Sequence, residues 1–227
     1  DLHETGTLNQ CWAEYPGIHI KTAFTHLAAT DESNHDDFTH DQIALYRKMI
    51  SAIEQGLNKK VGKHVLNSAG IERFPQYQFD YVRLGIGLYG VSVNKGNVEQ
   101  AGKLKTRIAQ IREVQPGETI GYSRKGVVNT PKTIATIPSG YADGFRRGLS
   151  NGTGKVWING KLYPVIGNVC MDMTMIDITD GNVSQGDEVV IFGPELPIQT
   201  LARWLDTIPY EILTNVAARV KRIYIKE

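Results

Sequence analysis

The chain has 227 residues, 41% hydrophobic and 22% charged, with a formal net charge of +1. That is ordinary globular composition, enough for one sizeable core or two smaller ones; near-neutral charge with no basic run longer than "VKR" argues against a nucleic-acid partner. No stretch approaches the roughly 18–20 apolar residues of a membrane span, so no membrane partner is expected. Cys11 and Cys170 form neither a disulfide framework nor a metal-ligand spacing, which favours a reducing, cytoplasmic setting without a metal site.

The chain opens on "DLHETGTLNQCWAEYP", without Met and directly in helical sequence, which is read as part of a longer protein. "IHIKTAFTHLA" (18–28) has the β-branched and aromatic richness of a strand. "FTHDQIALYRKMISAIEQGL" (38–57) then sets Ile43, Tyr46, Met49, Ile50, Ile53 and Leu57 at helical spacing. Thr39 and Gln42 suit a capping box, and Gly56 lies near the helix end. "KHVLNSA" (63–69) reads as a second strand, "GIERFP" (70–75) as a turn of helix, and "YVRLGI" (81–86) as a third strand. This alternation argues parallel strands with crossover helices, too few to close a barrel of eight.

From Leu104 the rhythm changes to short β-like segments between turn sequences: "QPGE" (115–118), "NGTG" (151–154), "NG" (159–160) and "DGN" (180–182). "KVWI-NG-KLY" predicts a hairpin, because Asn-Gly supplies the positive φ angles of a type I′ turn. "IQTLARWLDT" and "PYEILTNVAARV" predict helices, the second with Pro209 in its first turn, and "RIYI" predicts a closing strand. The expected fold class is therefore α/β plus all-β: a partial α/β unit over residues 1–100 and a β domain over 104–227, with the boundary in 94–103.

"FDYVRLGIGLYGVSV" (79–93) reads as a buried strand carrying one guanidinium, Arg83, which needs an acceptor because an unpaired buried charge is strongly unfavourable. His26, Ser68 with Asn67, and Arg83 each end one of three successive strands, where α/β barrels gather their active-site groups. Ser68 and the bare backbone of "GIG" (85–87) suit an anion, and a phosphate-bearing cofactor accounts for them together. A lone strand histidine is ordinarily a satisfied core residue, and "NSAG" alone is a turn signal; the conjunction on consecutive strand ends carries the reading. In the second half Tyr122 and Tyr141 sit beside glycines, where a single tyrosine more often packs than reacts. "CMDMTMID" reads as a half-buried strand, and Cys170 has no basic neighbour in sequence to lower its thiol pKa.

"FTHLAATDE", "NSAGIERFP", "FDYVRLGIGLYG", "PGETIGYSR", "IPSGYADGFRR", "GNVCMDM" and "TIPYEI" resemble, in order and spacing, the bacterial alanine racemases, pyridoxal-phosphate enzymes of fold type III. The resemblance runs over essentially the whole chain, and its C-terminal part separates it from decarboxylases that share the barrel and cofactor. It implies the last three strands or so of a (β/α) TIM barrel, followed by the family's C-terminal β domain. By the same resemblance His26 stacks on the cofactor ring. Ser68, the backbone N–H groups of Gly85 and Ile86, and Tyr210 hold its phosphate. Arg83 faces the pyridine nitrogen, which keeps the ring a weaker electron sink, and His64 supports that arginine. Tyr122 matches the catalytic tyrosine that reaches the site from the other subunit of a homodimer, and Tyr141 and Met171 match substrate-binding residues. The implied activity is an isomerase reaction, interconversion of L- and D-alanine in the cytoplasm for D-alanine biosynthesis and peptidoglycan (cell-wall) synthesis.

Two features depart from the family pattern. The lysine that holds the cofactor as a Schiff base, and the "DTGMxRLG" stretch with its arginine, have no match; "ETGT" (4–7) stands too close to His26 and is read as helix. The chain is therefore expected to be the C-terminal part of such an enzyme and inactive alone. Asn168 stands where many relatives have arginine. A serine racemase module of the same family, a racemase fused behind a cell-wall ligase, and a non-catalytic dimerisation β module are the other readings left open.

Overall fold

The computed structural model describes residues 4–94 and 98–225, and the chain divides into two compact units that part between Glu99 and Gln100. Of the predicted boundary, residues 95–97 lie outside the described residues.

The first unit runs α1 (Glu4–Glu14), β1 (Thr22–Phe24), α2 (Asp36–Leu57), β2 (Gly62–His64) and α3 (Ser68–Arg73). β1 and β2 pair in parallel, Thr22 opposite Gly62 and Phe24 opposite His64. The apolar stripe of α2 supplies Ile43, Tyr46, Ile50 and Ile53 to a core closed by Leu27, Val65, Leu66 and Phe74. Tyr46 is tied in at both ends: its ring lies in that core, and its hydroxyl donates to the Ala23 carbonyl at 2.8 Å. Burial pushes its pKa up to about 12.

Several local expectations are corrected. Both strands are three residues long, shorter than their sequence segments. The third predicted strand, 81–86, forms no ladder. The N–H groups of Asp80 and Tyr81 converge on one carbonyl, that of Lys63, and the Asp80 carboxylate takes the Lys63 N–H. The next acceptors, the carbonyls of His64 and Val65, are taken by the Arg83 side chain. Nor is this run buried: Tyr81 is 57% exposed, Leu88 64% and Tyr89 54%. Thr39 and Gln42 form no capping box. Thr39 lies inside α2, fully buried, while Gln42 donates back to Thr25 Oγ1 at 3.2 Å and the His26 carbonyl at 2.7 Å. Gly56 does lie in the last turn of α2, as expected. The left-handed turn falls on Asn58 (φ 47°), and a Cβ at Gly56 would strike Asn9 of α1.

The second unit is antiparallel. β4 (Gln110–Val114), β7 (Lys132–Ile137) and β10 (Thr174–Asp177) form one sheet with β7 central; β3 (Leu104–Arg107), β11 (Glu188–Phe192), β8 (Lys155–Ile158) and β9 (Lys161–Pro164) form another. β5 (Thr119–Ile120) and β6 (Gly126–Val127) make a two-stranded ribbon, and α4 (Ile198–Trp204) and α5 (Pro209–Thr214) follow β11. The β8–β9 hairpin turns on Asn159 (φ 46°) and Gly160 (φ 90°), the type I′ geometry its sequence encodes. "CMDMTMID" becomes strand only at Thr174, because the carbonyls of Cys170 and Met171 accept from Tyr141 and Ala142 instead of a ladder partner. "RIYI" is no strand. Arg222 folds back onto the carbonyls of Val216, Ala217 and Val220, and Ile223, Tyr224 and Ile225 are exposed.

Glu54, 8% exposed near the end of α2, accepts from Lys63 Nζ at 2.6 Å, Lys60 Nζ at 2.8 Å and the Val61 N–H at 3.2 Å. Its pKa is held down from 4.5 to about 2, by the Lys60 and then the Lys63 hydrogen bonds, against the opposing effect of burial. Because the folded-state value lies below the unfolded one, the stabilisation is complete above pH 4.5 and is lost as the pH falls toward 2. Glu54→Gln is expected to cost about 1–2 kcal/mol at neutral pH, with the exposed Lys60 adding little. In urea titrations the gap from wild type should close across that acid window.

Candidate functional site

In the first unit Arg83 lies where the irregular segment after α3 passes the ends of β1 and β2. Its NH1 donates to the His64 carbonyl at 3.1 Å and lies 3.1 Å from His64 Nδ1. NH2 donates to the carbonyls of Thr25 (3.0 Å) and Val65 (3.1 Å). The guanidinium sits 4.8 Å over the Phe24 ring, on which His64 also stacks at 5.2 Å. A guanidinium has five N–H donors. The four on NH1 and NH2 are engaged, and Nε–H is left without a partner among the described residues. Burial pushes the guanidinium pKa down, but arginine keeps its charge in proteins. Burial and then the Arg83 charge hold the His64 imidazole below its ordinary value, so the ring is kept neutral and Nδ1 accepts.

Ser68, buried at the start of α3, accepts at Oγ from the N–H groups of Gly85 (2.9 Å) and Gly87 (3.2 Å). Its own hydroxyl proton has no acceptor among the described residues. Asn67 fixes the helix start. Its Oδ1 accepts from Gly70 N–H at 2.9 Å and from Thr30 Oγ1 at 2.8 Å. A Cβ at Gly87 would lie 2.7 Å from Leu84 Cδ1, the movable end of an exposed side chain, and in ordinary contact with Ser68 Oγ at 3.6 Å. Ile86 starts a 3-10 turn with its side chain buried. His26 is exposed, and its carbonyl accepts from Gln42 at 2.7 Å. The structure thus brings Ser68 to Gly85 and Gly87, and Arg83 to His64. The carbonyls of Thr25 and Val65 and the ring of Phe24 were missed, because backbone acceptors leave no residue-type signal.

In the second unit Tyr122, 71% exposed, rides on the turn between β5 and β6. Tyr141 and Met171 lie side by side: Tyr141 N–H donates to the Cys170 carbonyl at 3.0 Å and Ala142 N–H to the Met171 carbonyl at 2.8 Å. The backbones approach this closely because residue 140 is glycine; a Cβ there would lie 2.3 Å from Cys170 O. Both side chains remain exposed. The Cys170 thiol is buried, and burial followed by the Asp172 charge pushes its pKa up, the wrong direction for a nucleophile. Asp172 lines a cavity of about 500 Å³ with Asp143 and Arg219, whose charges pair at 2.7 Å. Tyr210 is exposed in the first turn of α5. No cluster of metal-ligating side chains exists among the described residues, and no described helix is long and apolar enough to cross a membrane.

Residues 2–93 match the family model "Alanine racemase, N-terminal domain" and residues 101–224 match "Alanine racemase, C-terminal domain". Alanine racemase 1 of Clostridium acetobutylicum is 40% identical over 220 residues, 92% of this chain and 56% of that protein; the Clostridium novyi alanine racemase is 37% identical over 93% and 57%. The chain thus spans little more than half the length of these curated relatives. Among solved structures, the Bacillus anthracis alanine racemase with bound L-Ala-P superimposes with a TM-score of 0.91 at 30% identity, covering 100% of this chain and 60% of that one. The Bartonella henselae alanine racemase with covalently bound pyridoxal phosphate gives 0.84 at 33% identity, covering 99% and 62%.

Arg83→Met removes the charge beside His64 and keeps an apolar stem against Phe24. The His64 pKa should then rise toward 6.5 without reaching it, since burial, the larger cause, remains. NMR titration of the imidazole ring protons measures this; an unmoved pKa would show that the guanidinium does not govern the ring.

Proposed function

The chain belongs to the alanine racemase family, and from that membership we propose that it supplies the phosphate cradle, the ring-nitrogen partner and one acid–base group of a pyridoxal-phosphate-dependent racemase acting on alanine. On this reading the first unit is the last part of a (β/α) barrel and the second the family's β domain. The enzyme is a homodimer working in the cytoplasm on the D-alanine used in cell-wall synthesis.

The observation that carries the reading is the pair of unused donors. Arg83 Nε–H and the Ser68 hydroxyl proton have no partner among the described residues, while Arg83 NH1 and NH2 and the Ser68 Oγ lone pairs are hydrogen-bonded to the protein. A cofactor with an aromatic nitrogen at one end and a phosphate at the other supplies an acceptor for each. When bound, pyridoxal phosphate would provide the delocalised system that makes a Cα proton acidic. Ser68, with the Gly85 and Gly87 N–H groups, would bind the phosphate, joined by the Ile86 N–H and the Tyr210 phenol. His26 would cover one face of the ring. Arg83, fixed by carbonyls and a neutral His64, would donate to the ring nitrogen and oppose its protonation. Tyr141 and Met171 would border the amino acid.

Racemisation requires one group to take the Cα proton and another, on the opposite face, to return one. We assign the first face to the Tyr122 phenol, presented across the dimer interface. The second belongs to the family's lysine, which no lysine of this chain matches. Lys63, for instance, is committed to Glu54. Pyridoxal phosphate followed by borohydride should accordingly leave no stoichiometric pyridoxyl-lysine at a single site in these 227 residues; mass spectrometry finding one would overturn the assignment.

The decisive experiment is Tyr122→Phe in the full-length protein, assayed on alanine and serine in parallel. General acid–base groups contribute about 10²–10⁴ in rate, so kcat for racemisation should fall by that order with cofactor binding retained. Mixing this variant with a variant lacking the lysine should restore partial activity, since only mixed dimers hold one intact site. Near-normal racemisation by the Phe variant would remove Tyr122 from the mechanism, and a preference for serine would change the substrate.

A further inference from the structure

The Tyr122 turn is fastened by a side chain to which the proposed reaction gives no task. The turn passes through three positive φ angles, Gly121 (73°), Ser123 (58°) and Arg124 (54°), a conformation disfavoured for residues with side chains. The ring of Tyr122 is 71% exposed, so packing does not decide where the phenol is presented. The backbone must do so.

That backbone is gripped by Asn168, which is 7% exposed. Its Nδ2 donates to the Tyr122 carbonyl at 3.0 Å, and its Oδ1 accepts from Asn151 Nδ2 at 3.1 Å. The orientation of the amide is set from both sides. Turning it over would face oxygen with oxygen at Tyr122 and nitrogen with nitrogen at Asn151. Asn151 is held in turn in a left-handed conformation (φ 55°), with its N–H on the Gly167 carbonyl at 2.9 Å. Glycines allow the segments to touch backbone to backbone. A Cβ at Gly167 would lie 2.6 Å from the Ile120 carbonyl oxygen, one at Gly126 2.9 Å from it, and one at Gly121 3.4 Å from Asn168 N. Elsewhere the turn is held by the Arg124 N–H on Gly121 O and Arg124 Nε on Thr119 Oγ1, both at 3.2 Å, and by the Val127 N–H on Lys125 O at 3.1 Å.

We propose that Asn168 is a positioning residue for racemisation: together with Asn151 it clamps the Tyr122 carbonyl and so fixes where the phenol is presented. The inference rests on the reading of Tyr122 as an acid–base group. A side chain that merely filled core space would need neither its donor on this carbonyl nor a second amide to orient it.

The test uses two variants, Asn168→Ala and Asn151→Gly; glycine suits φ 55° and removes only the orienting amide. Hydrogen exchange over residues 119–127 should quicken about tenfold in Asn168→Ala and less in Asn151→Gly, the loss expected for one buried hydrogen bond. Exchange in β7 and β10 should stay unchanged. In the full-length, cofactor-loaded protein kcat should fall about tenfold in Asn168→Ala while KM moves less than about twofold. Adding Asn168→Ala to Tyr122→Phe should bring no further loss, because two residues acting through one group are not additive. Unchanged exchange in the turn, or losses that multiply in the Tyr122→Phe background, would overturn the proposal. If Asn168→Ala does not fold, Asn151→Gly decides, and no change in its exchange or kcat overturns the clamp. If Tyr122→Phe racemises normally, the functional reading fails, and the exchange measurement still judges the clamp by itself.

Discussion

Arg83 spreads its guanidinium over the carbonyls of Thr25, His64 and Val65 and lays it against Phe24, with no carboxylate paired to it among the described residues. Carbonyl dipoles satisfy the N–H groups without cancelling the charge, so the end of the short parallel sheet keeps a full positive charge in a partly desolvated place. A carboxylate in the same position would neutralise it and offer a proton acceptor beside any bound ring. Burial is the larger cause that holds His64 neutral, and the arginine adds to it, since a second cation at Nδ1 would be repelled and would lose its acceptor lone pair. The arrangement also shapes the backbone. The arginine side chain takes the His64 and Val65 carbonyls while its own backbone N–H donates to the Leu66 carbonyl at 2.9 Å, so residues 81–86 run beside the end of β2 without forming a ladder.

The second unit solves a different problem, the display of exposed side chains at fixed places. Residues 168–171 act as a common rail. Asn168 holds the Tyr122 carbonyl, the Cys170 carbonyl holds Tyr141, and the Met171 carbonyl holds Ala142. Glycines at 121, 126, 140 and 167 allow this close approach. Tyr122, Tyr141 and Met171 are thus mutually referenced through one short stretch of backbone although each projects into solvent. Thr174 extends the rail inward, its buried hydroxyl donating to the Ser139 carbonyl at 2.7 Å. The display is steadied by backbone and amide hydrogen bonds, while Val169 and Cys170 anchor the rail in the core.

The parts of this architecture legible in the sequence are those decided locally. The Asn159-Gly160 hairpin follows from turn chemistry, and the α2 face from apolar spacing. The parts that were not legible are decided by competition at a distance. Gln42 forsakes a capping box because Thr25 and His26, far earlier in sequence, offer better acceptors. Residues 81–86 look like a strand by composition, but the His64 and Val65 carbonyls are met by the Arg83 side chain and no ladder forms. The alternation of Met171, Met173 and Met175 has the period of a strand, yet the carbonyls of Cys170 and Met171 are engaged crosswise by residues 141–142. In each case the residue types were read correctly and the hydrogen-bond partners were not, because partners depend on which backbone groups tertiary contacts leave available. Asn151 carried no signal at all; in sequence it is one turn residue among several.

The unused donors of the first unit bear on how such a site binds without rearranging. Before any ligand arrives, Ser68 Oγ already draws in the Gly85 and Gly87 N–H groups, so the turn that would face a phosphate is held in place by the hydroxyl at its centre. A hydroxyl can accept two hydrogen bonds and still donate one. On the proposed reading an anion would gain the Ser68 proton without first breaking the bonds that shape the loop, and would share the N–H groups already gathered there. Arg83 follows the same logic, with NH1 and NH2 employed in structure and Nε–H held back. Preorganisation of this kind would lower the ordering cost of binding, because Ser68 is held by backbone N–H groups and Arg83 by backbone carbonyls before a ligand arrives.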